Sequence, residues 1–350
     1  MLPDIKSLSP CELKVLLVET LVQPNFRLKQ VEQWLWQKGA SSFDDMTNLS
    51  KGLRAKLAEH CSLTVPSIIK RQVSADGTRK YLIQLVDGVC VETVGIPSKD
   101  SSRLTVCFST QAGCAMGCVF CATGWGGFTR NLHAGEMFDQ VRLVGEDFGV
   151  RVTNIVAMGQ GEPFANYNAT LIALRHMNSS LGLGIGARHI TVSTCGITDG
   201  IKRFATEEEQ FTLAVSLHSA VQETRDKLMP GVRNQPLTSL RQALLNYIAA
   251  TNRRPTFEYA LIDQVNDHDD DLQALINFCQ GMLCHVNLIP LNPIKKDEQS
   301  RQDYLMDPSP RIDVFMKGLM QAGIEASVRN SRGSDIDGAC GQLIQKHSQS

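Results

Sequence analysis

The 350-residue chain exceeds the usual size of one compact core, which predicts one large domain with a smaller accessory one. Its 43% hydrophobic and 20% charged residues exclude a wholly disordered chain, and a net charge of −1 gives no global basic field for nucleic acid. The first ten residues mix Asp4 and Lys6 with apolar residues and lack the long apolar stretch of an export signal or membrane span, so a cytoplasmic protein without a membrane partner is expected. Eleven cysteines in such a chain favour metal, redox or covalent chemistry over a disulfide scaffold.

Residues 1–65 read as a helical accessory domain. Residues 13–21 are mostly apolar; Phe26, Val31, Trp34 and Leu35 have helical spacing before Gly39, and Ser50 caps a third helix through Leu57. Trp34 and Trp36 are expected to pack in the core. With eight Lys/Arg against seven Asp/Glu, the charge of this region does not mark an RNA surface. Residues 66–102 are a β-meander connector, with Asp76-Gly77 and Asp87-Gly88 as its hairpin turns.

Residues 103–330 alternate strand-like and helical stretches. Apolar runs at 104–109, 154–158, 190–193, 213–217, 257–262 and 286–291 predict six β/α units in a parallel sheet, curved into a partial barrel; a flat doubly wound sheet is the alternative. In β/α barrels the carboxyl ends of the strands build the active site. Gly161-Glu162, Ser193-Thr194, Ser216-Leu217-His218 and Asn292 should therefore converge with the cysteine loop that follows the first strand. Gly182, Gly184 and Gly186 precede a strand rather than follow one, so they are not a dinucleotide fingerprint. Residues 267–271 lack the glycine and closing Glu of a calcium loop and read as a helix start.

Within QAGCAMGCVFCATG, Cys114, Cys118 and Cys121 have C-x3-C-x2-C spacing, which lets three thiolates point inward from one loop and hold a [4Fe-4S] cluster. Three protein ligands leave one iron open for chemistry. A zinc site wants a fourth nearby Cys or His, and none occurs before His133; zinc and unrelated buried cysteines are the alternatives.

Eight ordered segments then carry a resemblance over nearly the whole chain: RLKQVEQWLWQKGASSFDDMTNLSKGLRAKL, VETVGIP, QAGCAMGCVFCATGWGGFTRNL, GQGEPFANY, RHITVSTCGI, AVSLHSAVQETRDKLMP, HVNLIPLNP and SVRNSRGSDIDGACGQL. Together they resemble the RlmN/Cfr family of radical S-adenosylmethionine (SAM) RNA methyltransferases. The resemblance implies an α/β fold, a partial (β/α)6 radical SAM barrel, with the [4Fe-4S] cluster and SAM as cofactors. Gly161, Glu162, Ser193, Ser216, Leu217, His218 and Asn292 then become SAM contacts. It implies that Cys340, in the 331–350 loop and tail, carries a methyl group. Cys107 resolves a protein–RNA adduct by forming a disulfide with Cys340, and Glu92 accepts a proton. For Cys107 a merely buried thiol, and for Glu92 an exposed strand carboxylate, are the alternatives from the residues themselves.

The implied reaction is methylation of adenosine C2 in 23S ribosomal RNA, with tRNA as a further candidate substrate. A flavodoxin or ferredoxin is the implied electron donor, and the chain is expected to be a monomer. GEP at 161–163 and the segment around Arg329, Arg332 and Gly333 favour the C2 branch, whereas LHS at 217–219 leans towards a C8 methyltransferase. A non-catalytic iron-sulfur RNA-binding protein is the alternative of another class. The stretch between VETV and Cys107 is slightly longer than the family pattern, and Gly338 stands where Ala is usual. Arg27, Lys29, Lys51 and Arg54 are candidate phosphate contacts.

Overall fold

The computed structural model describes residues 2–100, 102–291, 306–329, 332–333 and 335–336. Its first sixty residues form the expected helices. Ser9 caps Pro10–Lys14 by accepting from Glu12 N, while the Glu12 carboxylate accepts from Ser9 N at 2.7 Å. That helix runs on through Val15–Thr20; Phe26–Glu32 likewise continues through Gln33–Gln37. Ser50 Oγ caps Lys51–His60 by accepting from Leu53 N at 3.2 Å. Trp36 is buried, edge-on to Phe138 at 5.0 Å and stacked on His176 at 3.8 Å. Those partners belong to the helices Ala134–Phe148 and Tyr167–Asn178, so the small helical region is seated on the larger one. Buried Lys6 reinforces the junction by pairing with buried Asp139 of the first of these helices.

Strands β1 (Ser67–Val73), β2 (Arg79–Gln84) and β3 (Cys90–Pro97) form the antiparallel meander. It is not a separate connector, because β3 pairs antiparallel with β4 (Leu104–Cys107) and the meander becomes the edge of the main sheet. Two short strands, β5 (Gln111–Gly113) and β6 (Phe128–Asn131), pair with each other on either side of the cysteine loop. The other expected strands are β7 (Asn154–Ala157), β8 (Ile190–Thr194), β9 (Thr212–Ser216), β10 (Thr256–Leu261) and β11 (His285–Pro290). A short β12 (Glu325–Val328) adds a further parallel strand. The sheet order is β1-β2-β3-β4-β7-β8-β9-β10-β11-β12, parallel from β4 onward, with β1 and β12 left as edges; this is an open, partial barrel.

A parallel strand covered on both faces usually reads as a continuous apolar run. Here only one face does. Val106, Ile155, Val192, Val215, Phe257, Tyr259, Val286 and Leu288 are buried in the main apolar core. On the opposite face the strand register aligns Ser193 with Ala214, and then Ser216, Glu258, Asn287 and Ser327 in one row. Polar groups on the inner face are bonded to one another: Asn287 Nδ2 donates to Glu258 Oε2 at 2.8 Å, and Ser327 Oγ to Asn287 Oδ1 at 3.3 Å. The barrel interior is therefore built for a polar ligand. Among the described residues no helix is long and apolar enough to cross a membrane.

Asp139→Ala strands the Lys6 ammonium in the domain junction and should cost about 3–5 kcal/mol in a urea melt; Lys6→Met combined with Asp139→Leu should recover most of it.

Candidate active site

The cysteine loop leaves β5 and returns through β6. Gly113 is a glycine for a steric reason: its φ is +73° and a Cβ there would lie 2.0 Å from the Gly127 carbonyl oxygen. That close crossing is sealed by Cys114 N donating to Gly127 O at 2.7 Å. Cys121 N then donates to Cys118 O at 3.1 Å and Val119 N to Leu228 O at 3.0 Å, which ties the loop to helix Gln222–Leu228. Burial pushes the Cys114 thiol up to about 11 and raises that of Cys118, and each thiol feels the charge of Cys121. Three half-buried sulfurs brought together on one loop call for a cationic partner that takes thiolates, since coordination supplies the positive charge that burial withholds. This donor set fits an iron-sulfur cluster. Among the described residues no three His, Cys, Asp or Glu side chains close on a single metal ion.

Glu162 lies beside this loop, buried, where its charge raises both Cys114 and Cys118. Its Oε1 accepts from Phe164 N at 2.9 Å and its Oε2 from Cys195 N at 2.6 Å. Burial raises its pKa against these hydrogen bonds. The side chains of Cys195 and Thr194 also hydrogen-bond to it, so Glu162 is held chiefly from the exit of β8. Gly161, at φ +99°, packs its backbone on the Gln111 side chain.

Ser216-Leu217-His218 is gripped from both sides. Leu217 N and His218 N donate to Glu258 O at 3.0 and 3.2 Å. Arg225, fully buried, donates to Ser216 O at 3.0 Å, to Leu217 O, and to Cys195 O at 2.5 Å. The Leu217 side chain is in the core, whereas the Ser216 side chain is on the inner face. His218, at φ +53°, accepts from Ala260 N through Nδ1 at 3.0 Å, which leaves its proton on Nε2. Its ring meets Phe120 of the cysteine loop edge-on at 4.6 Å, and burial, with a smaller push from Arg225, lowers its pKa to about 3. His218 is a neutral imidazole. Ser193 shares the inner face, and Asn292 lies outside the described residues.

Glu92 and Cys107 occupy neighbouring strands. Glu92 is not an exposed carboxylate; it is buried, with its Oε2 3.0 Å from Lys80 Nζ, itself fully buried. Register places Lys80, Val94 and Cys107 in one row across β2, β3 and β4. Burial pushes the Cys107 thiol up to about 11, opposed by the charges of Arg329 and Lys80. Ser109 links this pair to the Glu162 strand end: its Oγ donates to Glu92 O at 2.6 Å and accepts from Gln160 N at 2.9 Å. Cys340 lies outside the described residues.

Beside Lys80, the partner of Glu92, two further residues of this site are not legible in the sequence. Arg225, within AVSLHSAVQETRDKLMP, reads as one helical Arg among many, and only the three carbonyls it collects reveal it. Cys195 reads as a small packing hydrophobe, yet its N–H fixes Glu162. Of the basic residues considered for phosphate, Lys29 and Lys51 are exposed; Arg27 and Arg54 brace a local loop through Asn48 O and Asp44 O.

Residues 4–63 match the family model for the ribosomal RNA large subunit methyltransferase N-terminal domain, and residues 108–276 match the radical SAM superfamily. A probable dual-specificity RNA methyltransferase RlmN of Alkaliphilus oremlandii is 46% identical over 99% of this chain and 98% of its own. One of the same description from Desulforamulus reducens is 44% identical over 94% and 93%. This chain belongs to the RlmN family of radical SAM RNA methyltransferases. A solved radical SAM methyltransferase from Sphaerobacter thermophilus is 43% identical, covers 97% of this chain and 98% of that one, and superposes with a TM-score of 0.86. Membership of the radical SAM superfamily implies a [4Fe-4S] cluster and SAM.

Arg225→Met leaves three buried carbonyls without their donor and should cost about 3 kcal/mol in a denaturant melt, together with a lower iron content per purified chain. Cys107 alkylation by iodoacetamide should rise about tenfold per pH unit towards a midpoint at about 11, because the thiolate forms only as pH approaches that raised value.

Proposed function

We propose that this protein methylates C2 of an adenosine in 23S ribosomal RNA, and in tRNA as well, by a radical route in which Cys340 carries the carbon. The observation that carries the reading is the pairing of a buried Lys80–Glu92 ion pair with Cys107 on neighbouring strands, tied through Ser109 to the Glu162 strand end. Cys340, in the C-terminal GACGQL segment, matches the same family pattern. The relatives' description as dual-specificity enzymes supports two RNA substrates.

Adenine C2 lies between two ring nitrogens and is electron-poor, so an electrophilic methyl group does not transfer to it directly. A [4Fe-4S] cluster on Cys114, Cys118 and Cys121, with SAM held at Gly161, Glu162, Ser193, Ser216, Leu217, His218 and Asn292, supplies a 5′-deoxyadenosyl radical when bound. The residues of the chain do the rest. Cys340 Sγ accepts a methyl group, one hydrogen atom of which passes to the deoxyadenosyl radical; the remaining carbon radical bonds to C2, leaving an adduct with one unpaired electron. Glu92, held by Lys80, accepts the C2 proton as the adduct gives up its unpaired electron, which a bound cluster would take back. The Cys107 thiolate attacks Cys340 Sγ and breaks its bond to carbon; that carbon takes up a proton to become the methyl group of the base, and the two sulfurs are left as a disulfide. His218, neutral and donating from Nε2, contributes a hydrogen bond but no charge. A flavodoxin- or ferredoxin-like donor provides the electron, and the protein acts as a cytoplasmic monomer.

Mass spectrometry of nucleosides from RNA treated with the reconstituted enzyme should show 2-methyladenosine. Methylation confined to C8 contradicts the C2 assignment and favours the reading to which LHS at 217–219 leans. Cys340→Ala should abolish RNA methylation with the iron content unchanged; retained methylation removes Cys340 from the carrier role.

A further inference from the structure

The turn between β1 and β2 does more than reverse the chain. Ser74 Oγ donates to Asp335 Oδ1, and Ala75 N donates to Asp335 Oδ2 at 2.8 Å. In the other direction, Gly333 N donates to Asp76 Oδ2 at 3.1 Å, and Arg332 Nη1 lies 3.7 Å from the same oxygen. Asp76 also braces its own turn, with Oδ1 accepting from Thr78 N at 2.9 Å. Gly333 has φ +65°, and a Cβ there would sit 3.2 Å from Thr78 Cγ2, so the backbone is drawn close to the turn at a position suited to glycine. Each segment thus gives one carboxylate to the other's backbone, across 260 residues of sequence in one direction and 257 in the other.

This contact lies at the head of the strand that carries Lys80. Thr78 precedes Lys80 by two residues, and Lys80, Val94 and Cys107 form one row across three strands. At about 3.3 Å per residue along a strand and about 4.8 Å between strands, Cys107 is roughly 12 Å from the turn. Cys340 is four residues beyond Ile336 in the chain, a tether of at most about 14 Å. The length of chain between Ile336 and Cys340 is thus comparable to the distance between the turn and Cys107.

We propose that the β1–β2 turn is a clasp for the segment that leads to Cys340, and that Ser74, Asp76 and Asp335 are positioning residues that confine the Cys340 sulfur to the neighbourhood of Cys107 and Glu92. This rests on the carrier role given to Cys340. Releasing the clasp leaves the cluster ligands and the SAM strand ends untouched, so radical production continues while its use on RNA falters.

The test uses the reconstituted full chain with Asp76→Ala and Asp335→Ala. Hydrogen exchange of peptides spanning 74–78 and 332–336 should accelerate in both variants, with iron content and thermal melt unchanged. RNA methylation should fall by about tenfold to a hundredfold, with more 5′-deoxyadenosine released per methyl group transferred. Asp335→Asn, which retains an acceptor oxygen, should recover part of the loss. Unchanged exchange in both alanine variants overturns the clasp. Faster exchange with unchanged methylation and unchanged coupling overturns its positioning role. Exchange reads the clasp without catalysis, so a failure of the Cys340 carrier reading, seen in Cys340→Ala, stays distinguishable from a failure of the clasp.

Discussion

A guanidinium buried as completely as that of Arg225 is tolerated only where acceptors surround it, and meeting that demand organises the site. Its acceptors are the carbonyls of Cys195, Ser216 and Leu217, at the exits of β8 and β9. The helix that carries it also receives Val119 N from the cysteine loop through Leu228 O. One cation therefore fixes two strand-end loops and, through its own helix, the thiol loop. Cys195, held in place by Arg225, presents its N–H to Glu162. The positive charge also lies where it moderates the burial of Cys118 and Cys195, since it lowers both thiols against the larger opposing effect of desolvation.

Around that anchor the barrel separates two tasks. The side built by the cysteine loop, Glu162 and His218 is closed by aromatic and backbone contacts and suits cofactor binding. The side built by β2, β3 and β4 carries the Lys80–Glu92 pair and Cys107, which suit proton and thiol chemistry. Ser109 and Gln140 join the two: Gln140 Oε1 accepts from Ser109 N and Thr93 Oγ1, and its Nε2 donates to Ser109 O at 3.0 Å. The proposed chemistry, with a radical made on one side and used on the other, needs such rigid spacing, because small displacements are costly in rate.

Much of the fold is legible in the sequence because strong local patterns agree with it. Asp76-Gly77 and Asp87-Gly88 mark both turns of the meander, Ser50 marks a helix start, and six apolar runs mark six strands. What does not show is short or long-range. β5, β6 and β12 hold three or four residues each, too few for a period to declare itself. That β3 joins β4, making the meander part of the sheet, depends on pairing that no local pattern encodes. The thiol triplet is legible from spacing alone. The roles of Arg225, Lys80 and Cys195 are not, since each depends on partners from distant strands; Glu92 reads as a surface carboxylate wherever its buried ammonium partner is left out.

At the centre stands the claim that Cys114, Cys118 and Cys121 equip this barrel for radical chemistry on SAM. Anaerobic reconstitution of the full chain with iron and sulfide, followed by SAM and a low-potential reductant, tests it most directly by chromatographic detection of 5′-deoxyadenosine. That product is expected from the native chain, and its loss is expected when the three cysteines are replaced by alanine. A reconstituted native chain that forms no 5′-deoxyadenosine, or a triple variant that still forms it, contradicts the claim.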